Sequence, residues 1–414
     1  MSIVKDMSLA ASGRQKIAWV KDFMPALTKI GHELAEGQAF AGLKIGMSIH
    51  MEAKTAYLAT ILQAAGAKVY ATGCNPLSTQ DDVAAGLASL GVEVYAIHGV
   101  DTDTYKYHLR MVLENKPDLI IDDGGDLLEV YCTFPPYAQF PVIGGCEETT
   151  TGVMRLYQRE RANTLPFPMM DINDACCKHY YDNKYGTGQS VWDAIMHVTN
   201  TLVAGKVVVV AGYGYCGKGI AMRARGMGAR VIITEIDPIK AIEANLDGFQ
   251  VLKMDYAVHL GDYFVTATGC RDVITDRHFK NMKHNAFLAN AGHFDVEINM
   301  EELESIAGSI EPRRDSITGY TLRDGRTLNV LAEGRLVNLA AGNGHPAEIM
   351  DMSFSLQSLG LEYLVKHRGT LKNKVYDIPY YLDRYVANTK LIAMNIKIDT
   401  LTPAQRTYLG YDEI

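Results

Sequence analysis

Val207 to Gly219 reads VVVVAGYGYCGKG, four valines and an alanine running into Gly212-x-Gly214-x-x-Gly217, with a helical pattern beyond. A β-branched run of that kind suits a strand buried on both faces. Three glycines at this spacing suit a tight turn, close backbone approach to a pyrophosphate, and close packing of helix on strand. The phosphates then sit at the positive end of the helix dipole. Glycines serving only a turn would explain the spacing equally well. What separates the two readings is the next strand, RVIITE, which ends in Glu235 about 20 residues on. An acid there accepts the adenosine ribose hydroxyls and repels a 2′-phosphate. The stretch therefore predicts a dinucleotide-binding unit that takes NAD in preference to NADP.

Short β-branched runs alternate with helical stretches on both sides of this unit. From Lys44 the order is KIGMSI, EAKTAYLATILQAAG, KVYAT, QDDVAAGLASLG, VEVYAI and DLIIDD; after RVIITE come YFVTATG and AFLANAG. Such alternation builds a parallel sheet with crossover helices. The chain thus reads as α/β, with two Rossmann-like doubly wound parallel-sheet units. RANTLPFPMMDINDACCKHYYDNKYG lies between them as a hinge, and the helical periodicity after His345 predicts helices that return to the first unit and cap the assembly. With 414 residues there is room for two or three domains of roughly 150 residues each.

A net charge of -8 disfavours nucleic acid or an anionic membrane as partner, because both need a basic footprint. A small-molecule substrate is expected. The N-terminal MSIVKDMSLAASGRQKIAWVKDF lacks an apolar core of signal-peptide length, and no run reaches the roughly 18 apolar residues of a membrane span, so a cytoplasmic enzyme is expected. The seven cysteines, Cys74, Cys132, Cys146, Cys176, Cys177, Cys216 and Cys270, are odd in number and lack CxxC spacing. Neither a disulfide framework nor a metal site is signalled, and Cys176-Cys177 reads as a pair of buried thiols.

Too many ionisable residues remain for a simple hydride transfer: His50, Asp122 and Asp123 in DDGGD, Glu147 and Glu148 in GGCEETTTG, Lys178 and Asp182 in KHYYD, His293 and His345. Lys178 and Asp182 stand four apart, on one face of a helix, where each tunes the other. Singly, each has a plain explanation: strand-end turn formers, carboxylates near a helix start, a surface ion pair.

Together, CNPLSTQD, DDGGDL, EETTTGV, NDACCKHYYDNKYG, AGYGYCGKG, TEIDP, GHFDVEI and AEGRLVNL...GHP stand in one order along the chain. In these motifs the sequence resembles the S-adenosylhomocysteine hydrolase family over nearly its whole length. The resemblance implies a substrate-binding domain over residues 1–183, an NAD-binding domain over 184–344, a return to the substrate domain over 345–374, and a helical C-terminal segment over 375–414. It also implies reversible, NAD-dependent hydrolysis of a nucleosyl-homocysteine thioether, by a homotetramer.

Site roles follow from the resemblance position by position. Lys178 and Asp182 look like the pair around the ribose 3′-hydroxyl, the lysine acting as base when its environment depresses its pKa. His50 and Asp123 resemble the groups that protonate the departing sulfur and activate water. Glu148 and His293 would orient the ribose hydroxyls, and Asn173 would support Lys178. On the substrate side the resemblance adds Glu52, Lys54, Thr55, His345 and Met350, with His345 suited to gating. On the cofactor side it adds Thr149, Thr150, Thr151, Asn183, Gly212, Gly214, Tyr215, Cys216, Gly217, Glu235, Thr268 and Asn338.

Three departures stand out. Where the family commonly has a hydroxyl residue two positions after the catalytic histidine and Glu or Gln four positions after it, this chain has Glu52 and Lys54. Adenine offers a 6-amino donor and an N1 acceptor; hypoxanthine offers an O6 acceptor and an N1–H donor. Lys54 on O6 with Glu52 on N1–H favours an S-inosyl thioether. The opposite pairing accepts adenine, giving a strict S-adenosylhomocysteine hydrolase. A third arrangement leaves both side chains on a solvated helix face. Thr187 replaces a frequent cysteine, and the ending YLGYDEI lacks the Lys- and Tyr-bearing tail that reaches a neighbour's NAD in many members, which puts cross-subunit cofactor contact in doubt. A true NAD dehydrogenase remains the rival, though it leaves Lys178, Asp182, Asp123 and His50 without a joint purpose. A non-catalytic nucleoside sensor would have lost one of these side chains.

Overall fold

A computed structural model describes residues 2–133, 135 and 140–410. The first sheet begins with β1 (Ile3–Val4), β2 (Lys44–Ser48), β3 (Lys68–Thr72), β4 (Glu93–Ala96), β5 (Leu119–Asp122), β6 (Gly144–Glu147) and β7 (Met169–Asp171). The second holds β8 (Val207–Ala211), β9 (Arg230–Thr234), β10 (Gln250–Val251), β11 (Tyr263–Thr266), β12 (Phe287–Asn290), β13 (Ala307–Arg314), β14 (Ile317–Leu322) and β15 (Thr327–Leu331). Late in the chain, β16 (Val375–Asp377) joins the first sheet beside β7. The stretch beyond 375 thus opens with a strand before it becomes helical at Tyr380–Ala393.

Strand order in the first sheet is β1-β4-β3-β2-β5-β6-β7-β16, and in the second β10-β9-β8-β11-β12-β15-β14-β13. In each sheet the parallel strand order reverses at a central pair, β2 beside β5 in the first and β8 beside β11 in the second. At such a reversal the crossover helices diverge to opposite faces and leave a crevice at the carboxyl ends of the strands, where ligands bind. Every pairing in the first sheet is parallel; the second ends in the antiparallel set β15-β14-β13. The valines of β8 are buried on both faces, as their unbroken run predicts.

The helix Ala347–Lys366 carries the chain back under the first sheet, where Phe354, Leu356, Leu361 and Leu364 enter its main core. Asp351 on that helix accepts from the backbone N–H groups of Ala26 and Leu27 and pairs with Lys390 at 2.8 Å, tying the N- and C-terminal helices together. Cys177 is buried, whereas Cys176 is only half-buried, so the expectation of two buried thiols holds for one of them. Among the described residues no helix is long and apolar enough to cross a membrane.

The junction of β7 and β16 places Asp171 directly opposite Asp377. Asp171 is buried, its Oδ2 has no hydrogen-bond partner, and burial, aided by Asp174, pushes its carboxyl up to about 7. A carboxyl whose folded pKa lies above the unfolded value binds more protons in the fold, so its cost appears as pH rises from about 4 through 7 and is complete above that. The asparagine variant Asp171→Asn keeps the acceptor for the Asp174 N–H and removes the ionisation. Thermal melts should show variant and wild type alike near pH 4, with the variant gaining on the order of 4 kcal/mol by pH 8. A difference independent of pH would contradict this assignment.

Candidate active site

The side chains singled out in the sequence converge at the carboxyl ends of the strands. His50 follows β2 and Asp123 follows β5, the two strands that flank the reversal; Cys74 follows β3, Glu148 follows β6 and Asn173 follows β7. The turn after β5 needs glycine, because Gly124 and Gly125 have φ of 99° and 80°. A Cβ on Gly124 would also stand 2.3 Å from His293 Nε2, which reaches over from the second sheet.

Hydrogen bonding defines the state of His50. Ser78 Oγ donates to the Asn75 carbonyl at 2.9 Å, so its oxygen accepts from His50 Nδ1–H at 2.6 Å. The Nε2 lone pair therefore faces Asp123 Oδ2, 3.5 Å away. Burial depresses the imidazole to about 4, against the pull of Asp123, so the ring is neutral. His293 Nδ1 lies 3.8 Å from the other Asp123 oxygen.

Lys178 ends a short helical turn, Cys176–Lys178, that passes into a π-helix over His179–Gly186. Widening of the helix lets Asp182 and Asn183 both lie alongside Lys178, as single π turns at functional sites often do. Its Nζ is 2.8 Å from Asn183 Oδ1, 3.4 Å from Asn173 Oδ1, 3.6 Å from Asp182 Oδ1 and 3.8 Å from Glu148 Oε1. The expected depression of its pKa is corrected here. Burial does act downward on the ammonium, but Asp182, Glu148 and Asp123 outweigh it and raise the pKa. For Asp182 burial acts upward and is overcome by Lys178 and His345, which leaves the carboxyl below its usual range. Burial lifts Glu148 to about 8 against the pull of Lys178. Near neutrality, then, Lys178 is cationic, Asp182 anionic and Glu148 protonated. His345 Nδ1 touches Asp182 Oδ1 at 3.3 Å and its Nε2 touches Thr187 Oγ1 at 3.1 Å, so the residue in the usual cysteine position steadies the imidazole.

The second sheet presents the glycine turn at its own reversal. Gly212 has φ of 95°, a Cβ on Gly217 would stand 2.0 Å from the Gly212 carbonyl oxygen, and a Cβ on Gly214 would meet open space. No side chain caps the helix Tyr215–Gly226, so its first N–H groups are free for a phosphate. Glu235 accepts from the N–H groups of Tyr213, Ile236 and Asp237, which sets its carboxylate at the end of β9. Asn338 gives its amide to Ser190 and keeps Oδ1 without a partner. This cradle fits a dinucleotide. Thr150 Oγ1 bonds Asn173, Thr149 stands at the N-cap position of the helix Thr150–Arg161 with no side-chain cap hydrogen bond, Thr151 lies in the first turn of that helix, and Cys216 lies beside Thr187. Thr268 is bonded to Glu297, and the Tyr215 ring packs on His179 and Tyr180.

Glu52 and Lys54 are 4% and 6% exposed, which removes the solvated-face arrangement. Their side chains pair at 2.6 Å, Glu52 caps the helix Ala53–Ala64, and Lys54 Nζ donates to the Asn343 carbonyl at 2.9 Å. Thr55 Oγ1, next in the chain, is buried without a partner. Met350 packs in the first core.

Residues 1–139 match the family model described as S-adenosyl-L-homocysteine hydrolase, and residues 183–344 match the model for its NAD binding domain. The chain is 52% identical over 98% of its length, and 98% of the relative's, to S-inosyl-L-homocysteine hydrolase of Methanocaldococcus jannaschii. It is 53% identical to adenosylhomocysteinase of Thermococcus kodakarensis, covering 98% of this chain and 96% of that one. The S-inosyl-L-homocysteine hydrolase of Methanococcus maripaludis is 51% identical over 99% of each chain. The chain belongs to the S-adenosyl-L-homocysteine hydrolase family. It is a hydrolase of the adenosylhomocysteinase type, with NAD as its cofactor.

Other residues of this hydrolase support the site without having been singled out in the sequence. Ser78 sets the His50 tautomer, Ser353 donates to Asp182 at 2.9 Å, and Gln357 donates to Glu148 at 2.5 Å. Glu297 gathers the turn after β11 by accepting from Thr268 and Gly269. A signal existed for two of these. SFSLQS puts small polar residues into an otherwise apolar helix, and Ser353 and Gln357, four apart, share a face.

Proposed function

We propose that this hydrolase splits an S-nucleosyl-L-homocysteine thioether into nucleoside and homocysteine, and that it favours the inosyl over the adenosyl substrate. The observation that carries the reaction is the meeting of two ionisable groups, His50 with Asp123 and His293, and Lys178 with Asp182 and Glu148, beside a dinucleotide cradle. NAD held in the Gly212–Gly217 cradle would supply reversible hydride acceptance at ribose C3′, and a ketone there would acidify the C4′ hydrogen. Lys178 Nζ is aimed by Asn173 and Asn183 at the 3′-hydroxyl. Asp182 Oδ1 with His345 Nδ1 offers the Lys178 proton a route away, which frees the amine to take the proton of the 3′-hydroxyl. Glu148, protonated, can donate to a ribose hydroxyl.

On the 5′ side, the unprotonated His50 Nε2 beside Asp123 takes the proton lost from C4′ and delivers it to the sulfur as the C5′–S bond breaks. The neutral imidazole then takes a proton from the water that adds to C5′. Base preference rests on donor counting. Two of the three Lys54 N–H bonds go to Glu52 and to the Asn343 carbonyl, and the third is free for an O6 acceptor. Glu52 Oε1 remains for the N1–H of hypoxanthine. Because Lys54 already occupies the Asn343 carbonyl, a 6-amino group would find an ammonium where it needs an acceptor.

NAD-loaded enzyme given each thioether should release thiol faster from the inosyl compound, with no net NADH and with solvent deuterium entering C4′. Equal or faster turnover of the adenosyl compound defeats the base assignment. Stoichiometric NADH would instead make the protein a dehydrogenase. A cytoplasmic homotetramer is the assembly proposed with this function.

A further inference from the structure

Cys74 is an ionisable group beside the His50–Asp123 pair for which the proposed reaction has no use. Its thiol is buried and lies 3.5 Å from Asp123 Oδ2, the same oxygen that faces His50 Nε2 at 3.5 Å. One ligand atom each from His50, Cys74 and Asp123 lies within 4.8 Å of the others, and among the described residues this is the group of His, Cys, Asp and Glu side chains so placed. The sequence spacing hid it, since the three residues leave the ends of three different strands, β2, β3 and β5.

Zinc bonds of about 2.3 Å to sulfur and about 2.0 Å to nitrogen or oxygen, at tetrahedral angles, hold their ligand atoms about 3.3 to 3.6 Å apart. The Cys74–Asp123 and His50–Asp123 edges fall in that range and the third lies within 4.8 Å, while 3.5 Å is long for a hydrogen bond from nitrogen to oxygen. The frame is also preorganised. Ser78 fixes the tautomer that leaves Nε2 unprotonated, which is the service an outer partner performs for a metal-bound histidine, and the Tyr105 hydroxyl pins the Cys74 carbonyl at 2.9 Å. A donor set of nitrogen, sulfur and one carboxylate oxygen selects a thiophilic divalent ion and rejects Mg²⁺ or Ca²⁺.

We propose that His50, Cys74 and Asp123 form an inhibitory site for a thiophilic divalent cation such as Zn²⁺, which silences the hydrolase by taking the His50 lone pair and the Asp123 carboxylate out of the reaction. Binding displaces the Cys74 thiol proton to solvent, with no change of oxidation state. Three protein ligands leave a fourth position for water. Binding stands on the geometry alone; inhibition rests in addition on the roles assigned to His50 and Asp123.

The test uses NAD-loaded enzyme, Co²⁺ as a spectroscopic probe and Zn²⁺ as inhibitor, with each variant's rate referred to its own metal-free value. Wild type and the control Cys270→Ser, which alters an exposed thiol, should show a thiolate-to-cobalt charge-transfer band and be inhibited by Zn²⁺. Cys74→Ala and the closer-sized Cys74→Ser should lose the band and raise the inhibitory Zn²⁺ concentration by about 100-fold or more. Absence of the band in wild type, or its persistence in both Cys74 variants, overturns the site. A band that appears without inhibition overturns the proposed switch and traces the failure to the roles given to His50 and Asp123, because the metal would then be bound without consequence.

Discussion

Replacing Lys178 with methionine is expected to lower thiol release by roughly 10³- to 10⁴-fold, the range of a positioned acid-base group, while NAD stays bound. The methionine chain fills the buried stem of the lysine but offers no proton acceptor at the 3′-hydroxyl. Asp182 would lose the cation that now holds its carboxyl low, and its pKa should rise so that part of the lost attraction is replaced by protonation. Lys178→Arg is the informative companion. It keeps the charge beside the same carboxylates but holds its proton too tightly to act as a base. Both variants should fail to produce the transient nicotinamide absorbance that wild type gives on mixing with substrate. A normal transient in either variant, with the fold intact by thermal melt, would mean that the 3′-hydroxyl proton leaves by another path.

The second large effect concerns the purine edge. A double substitution, Glu52→Thr with Lys54→Gln, should reverse the ratio of kcat/KM for inosyl and adenosyl thioethers by about 10²- to 10³-fold, because a site built to pair polar groups rejects the edge that leaves them unpaired. The change has to be made at both positions. Glu52 and Lys54 form a buried ion pair, and removing one partner alone leaves a buried charge whose cost, about 3 to 5 kcal/mol, would obscure the specificity. An unchanged ratio in the folded double variant would show that the purine is read elsewhere, for which the partnerless Thr55 hydroxyl is the nearest alternative.

Much of this hydrolase was legible in its sequence because the signals are local. The valine run before Gly212 and the alternation from Lys44 to Asp122 each depend on residues within a few positions of one another, and the strands appear where that pattern puts them. His50 and Asp123 were reached through the resemblance of their motifs, and each lies just beyond the end of a parallel strand. The strand beginning at Val375 stands within the segment that the resemblance makes helical; three residues carry no period of their own, and β7 supplies their partner from about 200 positions away.

The chemistry of the site was decided by tertiary structure. Whether Lys178 is acidified or made more basic depends on the sum of one burial effect and three carboxylates, and two of those, Glu148 and Asp123, come from other strands. Sequence spacing showed only Asp182. The π-helix that sets Asn183 against Lys178, the serine that chooses the His50 tautomer, and the closeness of Cys74 to both groups are likewise products of packing. Periodicity and glycine spacing are properties of neighbouring residues and survive in the sequence. Electrostatic fields and ligand geometries add over everything brought within a few ångströms, and only the folded chain determines what that is.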